Sequence, residues 1–292
     1  MSNHVFPESL VNTQWVADHI DDPHIRLIDV VRGTDPATGF PAYEGGHIPG
    51  AVAWDFTKDF QDPARDDVID QVGLEALLSR SGITQEMTIV LYDRYHNLLA
   101  AYAFWLLKIY GHKDVRLIDG DGQKWLQENR PTTSQVPSIT AATYQAREAN
   151  WILRAGHDDV LRSIGQVNQL LVDARSAEKY IGLDKSGTAR GGHIPGAINL
   201  AARQETNPDG SNAWRVPTVQ PDGMFKSAGE LEVLFESLGI TPDKDIITYC
   251  EIGGLSSHAW FVLTQLLGYG SVREYDRSWA EWGNLEGAPI EP

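Results

Sequence analysis

One cysteine occurs among the 292 residues, and it opens the run Cys250-Glu251-Ile252-Gly253-Gly254-Leu255-Ser256. The preceding residues, Asp245-Ile246-Ile247-Thr248-Tyr249, form the short apolar run of a buried strand, and those that follow begin an apolar helix. A thiol on such a turn meets the unpaired N–H groups and the positive end of that helix. Gly253 and Gly254 let the backbone curl until successive N–H groups point inward as an anion nest. The chemistry this predicts is that of a thiolate nucleophile. The bland alternative is a small core residue, common for a free cysteine. Its place between a strand and a glycine turn favours the reactive reading. A lone cysteine also excludes an intramolecular disulfide and any Cys-x-x-Cys redox or metal pair.

The elements that must position this loop are written twice in the chain. Leu27-Ile28-Asp29-Val30 is followed by Gly45-Gly46-His47-Ile48-Pro49-Gly50-Ala51, and Leu171-Val172-Asp173-Ala174 by Gly191-Gly192-His193-Ile194-Pro195-Gly196-Ala197. Further on, Thr88–Asp93 matches Asp245–Cys250, and an apolar helix follows each: Ala100–Tyr110 stopped by Gly111, and Ser256–Leu267 stopped by Gly268. The copies end near Trp125 and Trp282. Two homologous domains follow from this order. Strands alternate with helices in each, which implies a mainly parallel sheet covered on both faces. Ser227-Ala228-Gly229-Glu230 has capping-box spacing and predicts a helix through Leu238, with Gly239 as its stop. The Pro-, Ser- and Thr-rich stretch Arg130–Ser138 reads as linker, and the polar insert around Asn207–Asp222 as a surface loop.

The charge balance limits the partners. Lys and Arg number 24 against 40 Asp and Glu, a formal charge of −16, so nucleic acid would be repelled in the absence of a basic patch. No apolar run reaches the ~20 residues that span a bilayer. The start, MSNHVFPESL, lacks the basic and apolar regions of a signal peptide. These features predict a protein of the cytoplasm that binds neither nucleic acid nor membrane.

The paired GHIPGA blocks, Asp93 in the first copy against Cys250 in the second, and the ending Ser278-Trp279-Ala280-Glu281-Trp282-Gly283-Asn284 resemble the tandem-domain rhodaneses. These are the thiosulfate and 3-mercaptopyruvate sulfurtransferases. The resemblance covers essentially the whole chain. It implies an α/β fold of two rhodanese-like domains, each a five-stranded, mainly parallel sheet flanked by helices. Residues 1–129 form a catalytically silent domain with Asp93 in place of Cys, 130–147 a linker, and 148–292 the catalytic domain. It implies that Cys250 takes a sulfane sulfur from a small anionic donor and passes it, as a persulfide, to cyanide or a thiol. Glu251, Ile252, Gly253, Gly254, Leu255 and Ser256 would contact the donor, with Arg190 just before the second GGHIPGA as its positive neighbour. No cofactor and no metal are implied. Arg175 is expected to anchor the loop, and Asp29 and Asp173 to organise loops rather than act as acids. His47 and His193 recur in both copies, the silent one included, so they read as structural. His258 reads as facing either the site or solvent, and Trp279 and Trp282 as packing a domain interface or the pocket wall.

The loop departs from the family. Thiosulfate-type members carry patterns such as CRKGVTA or CRIGERS, and mercaptopyruvate-type members CG(S/A)GVTA; here it is CEIGGLS. A carboxylate ~7 Å from the thiolate opposes it by about 0.6 kcal/mol at ε ≈ 80 and about 2.4 at ε ≈ 20. The direction of Glu251 therefore decides its effect. The helix Ser257–Leu263 and the closing SWAEWGN look most like bacterial thiosulfate sulfurtransferases, which makes thiosulfate the expected donor and 3-mercaptopyruvate the alternative. A different class of alternative is a non-catalytic anion-binding or persulfide-sensing module. Phosphatase chemistry on this fold needs Arg where Ser256 stands.

Overall fold

The computed structural model describes residues 4–33, 43–206 and 212–292. They fall into two compact units: Glu8–Asn150 with Pro221–Met224, and the described part of Met1–Pro7 with Trp151–Gln220 and Phe225–Pro292.

In the first unit five parallel strands stand in the order Leu10–Val11, Val115–Ile118, Thr88–Tyr92, Ile25–Val31, Val52–Asp55. The central strands are buried runs without polar alternation, because helices cover both faces. The helix Leu98–Ile109 is apolar on nearly every side, as befits a helix packed within a core. Residues 130–147 form no helix or strand of their own but are laid along this unit. Thr133 exchanges backbone hydrogen bonds with His47, Ala142 N–H donates to Ser79 O at 2.9 Å, and buried Tyr144 meets His112 at 2.8 Å.

In the second unit the parallel order is Val272–Glu274, Asp245–Tyr249, Gln169–Asp173, Ile198–Asn199. The fifth strand expected here is reduced to one bridge between Arg154 and Glu274, with Ala155 N–H on Glu274 O at 2.8 Å. A 3₁₀ turn over Trp151–Leu153 and a helix starting at His157 leave too little chain between them for a longer strand. The capping box forms as expected: Ser227 Oγ accepts from Glu230 N–H, and the Glu230 carboxylate accepts from Ser227 N–H at 3.0 Å. That helix, Ala228–Ser237, ends on Leu238 with Gly239 at φ +75°. The helix after Cys250 is α-helical over Gly254–Phe261 and widens to π-helix over Val262–Leu266. Of the insert expected as a loop, residues 207–211 lie outside the described residues; Asn212–Arg215 pairs antiparallel with Arg203–Thr206 as a hairpin.

The repeated heptapeptides do the same structural work in both units. His47 stacks on Tyr43 and His193 on Tyr180, each with 3.7 Å between ring centroids. Each tyrosine hydroxyl donates to the alanine carbonyl that ends its block, Ala51 or Ala197, at 2.6 Å. Ile48 and Ile194 N–H groups donate to Tyr92 and Tyr249 hydroxyls at 3.1 Å. Gly192, at φ +114°, has no alternative, since a Cβ there would meet Glu291 O at 2.2 Å.

Candidate active site

Cys250 follows directly on the strand Asp245–Tyr249 and is 1% exposed. Its Sγ accepts from Gly253 N–H at 3.2 Å and faces Ser256 Oγ at 3.5 Å. Gly253 reaches this position at φ +96°, a conformation that only glycine adopts freely. From the other side the loop is held by the short helix Ser278–Trp282: Cys250 N–H donates to Ser278 Oγ at 3.0 Å, Trp279 N–H to Cys250 O and Ala280 N–H to Glu251 O, each at 3.0 Å. Gly254 is buried, whereas Ile252 and Leu255 are half-buried. The expected loop residues are thus one short turn around a sulfur, and Ser256 is the side chain that reaches it.

Charge around this turn is arranged differently from the expectation. Glu251 pairs with Lys179, so its charge is met by a cation beside the loop. Arg175 is 1% exposed and grips Asp173 through Nε at 3.0 Å and Nη2 at 2.5 Å, with Nη2 also on Gly192 O at 2.8 Å. Burial opposes its charge, but the bonds and attraction of Asp173 prevail and hold its pKa above the ordinary arginine value. Trp279 lies 4.2 Å from this guanidinium, and Arg175 Nη1 is buried without a hydrogen-bond partner. The anchoring role expected of Arg175, and the loop-organising role of Asp173, describe this geometry.

Arg190 has partners that its place before the second GGHIPGA block does not suggest. Its Nη1 donates to Ala288 O at 2.7 Å and its Nη2 to Trp282 O at 3.0 Å and to Leu285 O. These carbonyls terminate and follow the helix Ser278–Trp282, where a cation is favoured. Arg190 therefore fastens the C-terminal segment through these three hydrogen bonds. His258 also differs from expectation. It is buried away from solvent, meets Thr218 Oγ1 at 2.7 Å and stacks on Phe225 at 5.2 Å. Trp279 and Trp282 belong to the core of the second unit with Ile247, Tyr249 and Tyr275.

Three residues at the site escaped the sequence reading: Lys179, Ser278 and Glu274. The signal was in the differences between the copies. Lys179 precedes Tyr180, whose counterpart Tyr43 is preceded by Ala42. Glu274 stands where the first copy has Leu117, and each is paired with the central strand in the same register, Glu274 with Thr248 and Leu117 with Leu91. A charged residue in place of leucine inside a buried strand requires a reason. Here Glu274 is 0% exposed and contacts Ser256 Oγ at 3.0 Å and Ser257 Oγ at 2.6 and 2.7 Å.

The equivalent turn of the first unit is filled by its own side chain. Asp93, 0% exposed, accepts N–H groups of Tyr95 at 2.7 Å, Asn97 at 2.9 Å, Leu99 at 2.7 Å and Ala100 at 3.1 Å. Arg94, in the place of Glu251, turns inward to Asp29 at 3.4 Å and to Gly46 O. Asp121, in the place of Ser278, is buried and accepts from His96 and Gln123 N–H groups. Burial pushes the carboxyls of Asp93 and Asp121 up.

Comparison with known proteins identifies the family of both units. The rhodanese-like domain model matches twice, over residues 12–128 and 156–285. The sulfur carrier protein TtuD of Thermus thermophilus is 45% identical over 97% of this chain and 96% of its own length. A thiosulfate sulfurtransferase of Corynebacterium glutamicum is 38% identical over 98% and 91%. Among solved structures, EanB with ergothioneine covalently linked to a cysteine persulfide superposes with a TM-score of 0.81 at 25% identity, over 97% of this chain and 70% of that one.

Proposed function

The chain belongs to the rhodanese family, with two copies of its domain, and from that premise we propose that its second unit is a thiosulfate sulfurtransferase working through a Cys250 persulfide. The carrying observation is the sulfur itself: Cys250 Sγ sits on the glycine turn as acceptor of Gly253 N–H, in the place where the first unit has a carboxylate collecting four N–H groups. A turn of this kind stabilises negative charge on sulfur, before transfer as the thiolate and after it on the terminal atom of the persulfide.

The thiolate attacks the sulfane sulfur of thiosulfate. An S–S bond forms to Cys250 as the S–S bond of the donor breaks, and sulfite leaves with the electron pair. Cyanide or a thiolate then attacks the terminal sulfur, takes it, and returns the Cys250 thiolate. Lys179, beside the loop, is the cation for the anionic donor, which competes with Glu251 for it. Buried Arg175 adds positive potential beneath it. The name of the 45% identical relative supports a second reading, in which the persulfide is handed to a protein acceptor and the chain acts as a carrier.

The test is multiple-turnover sulfur delivery to cyanide from thiosulfate and, separately, from 3-mercaptopyruvate. Faster turnover with thiosulfate is expected, and faster turnover with 3-mercaptopyruvate would exchange the donor. A Cys250 persulfide that forms by mass spectrometry without turnover to cyanide would favour the carrier reading. No persulfide from either donor would overturn the proposal.

A further inference from the structure

Glu274 takes no part in the sulfur transfer written above, yet a carboxyl group at 0% exposure inside a strand is costly and needs a compensating role. Its surroundings give one. Ser256 Oγ lies 3.0 Å from Glu274 Oε1, 3.0 Å from Gly253 O and 3.5 Å from Cys250 Sγ. Ser257 Oγ lies 2.6 and 2.7 Å from the two carboxyl oxygens and 2.7 Å from Gly253 O. Each hydroxyl carries one proton and each has more than one acceptor, so something must decide where the Ser256 proton goes.

We propose that Glu274 is a positioning residue of the Cys250 site, orienting Ser256 so that its single hydroxyl proton faces Sγ. Proton counting shows how. Were Glu274 a carboxylate, both serine hydroxyls would donate to it, and Ser256 would turn a lone pair towards a sulfur that needs donors. As a neutral acid, Glu274 donates from Oε1 to Ser256 and accepts from Ser257 on Oε2, which frees the Ser256 proton from the carboxyl; of its two remaining acceptors, Gly253 O already takes Ser257 N–H at 2.9 Å, and Sγ is the other. Burial pushes the Glu274 carboxyl well up, against the serine hydrogen bonds that lower it, and neighbouring Asp276 adds to the rise. The nearby guanidinium, Arg154, donates to both oxygens of Asp276, at 2.7 and 3.0 Å. Burial thus favours the neutral acid, and it is with Glu274 neutral that Ser256 can donate to Sγ. In the first copy, where Asp93 supplies its own anion, the corresponding residue is Leu117 and no such relay exists.

The role rests on Cys250 being the nucleophile proposed above. Alkylation reads that nucleophile without any sulfur donor, so a protein that turned over no donor would leave this test intact. Cys250 is the single cysteine of the chain, and its rate of modification by iodoacetamide at neutral pH is therefore unambiguous. Ser256→Ala and Glu274→Met are each expected to slow alkylation by about tenfold, the effect of losing one hydrogen bond to a charged group. The double variant is expected to be no slower than Ser256→Ala. Glu274→Gln, whose amide donates to one serine and accepts from the other, should recover the rate to within about threefold. A purely structural role would loosen the loop and expose a buried sulfur, which speeds alkylation instead. A rate unchanged or raised in Glu274→Met, losses that multiply in the double variant, or a Gln variant as slow as Met would each overturn the proposal. If Met does not fold by circular dichroism, Gln at wild-type rate beside a slowed Ser256→Ala supports it, and Gln as slow as Ser256→Ala refutes it.

Discussion

The turn after Tyr92 and the turn after Tyr249 are the same piece of backbone put to opposite uses. In the first, Asp93 bends its carboxylate back over four N–H groups and satisfies the nest from within. In the second, Cys250 offers a sulfur that takes one N–H and faces one hydroxyl. The supporting charges are exchanged as well. Arg94 brings a guanidinium inward to Asp29 and Gly46 O, whereas the second unit takes that guanidinium from Arg175, onto Asp173 and Gly192 O. The position of Arg94 is then free to be Glu251, which pairs with Lys179. A duplicated fold keeps the cation its scaffold needs while the residue that supplies it changes.

The comparison can be broken most directly at the sulfur. Cys250→Ser, nearly isosteric, should lower sulfur transfer at least about a thousandfold without a change in unfolding temperature, because it removes the nucleophile and not the packing. Retained transfer would place the chemistry elsewhere. Next comes the resident anion of the first unit. Asp93→Ala leaves buried N–H groups without an acceptor and should cost about 3–5 kcal/mol in urea unfolding, with Cys250 alkylation unaffected in the folded protein. A loss below about 1 kcal/mol would mean that water replaces the carboxylate.

Asp29 sharpens the contrast between the two guanidinium contacts. Burial raises its pKa to about 6, and Arg94 only partly offsets this. The folded state therefore binds this proton more tightly than the unfolded state. The resulting stability is complete below about pH 4 and is lost as pH rises through about 6, on the order of 2–3 kcal/mol. Hydrogen-exchange protection of Ile25–Val31 should fall over that window, and Asp29→Asn should flatten the fall. Arg190→Ala should cost about 2 kcal/mol of stability, for the bonds to Trp282, Leu285 and Ala288, with KM for thiosulfate unchanged. A raised KM would restore Arg190 to the donor site. The smallest effect is expected from Glu251→Gln, which releases Lys179 towards the donor. It should raise kcat/KM for thiosulfate about threefold, and less at high salt.

Much of this was legible in the residues. The duplicated GGHIPGA blocks, the matched strands and the glycine stops predicted two α/β units, because repeats and helix caps are local patterns. Cys250 stood out for the same reason: strand, thiol and glycines are contiguous. Residues that meet the loop from distant segments were not legible. Ser278 is far along the chain from Cys250, Lys179 far before Glu251, and nothing near either one names its partner. The partners of Arg190 were not legible either, because they are carbonyls of Trp282, Leu285 and Ala288, far along the chain. The missing fifth strand of the second sheet depended on where a 3₁₀ turn leaves off, which is finer than hydrophobic pattern can resolve.

The sequence by itself determined that one domain carries a thiol and the other a carboxylate at the same turn, since that is a matter of residue identity within a repeated order. Only the tertiary structure decided what surrounds the thiol. Glu251 meets Lys179, and Arg190 meets three carbonyls of the C-terminal segment, because the fold brings these distant residues together. Glu274 meets Ser256 beside the sulfur because its strand pairs in register with the strand that leads into Cys250. Side-chain direction and the partners of a charge are set by packing across the chain, and no local pattern encodes them.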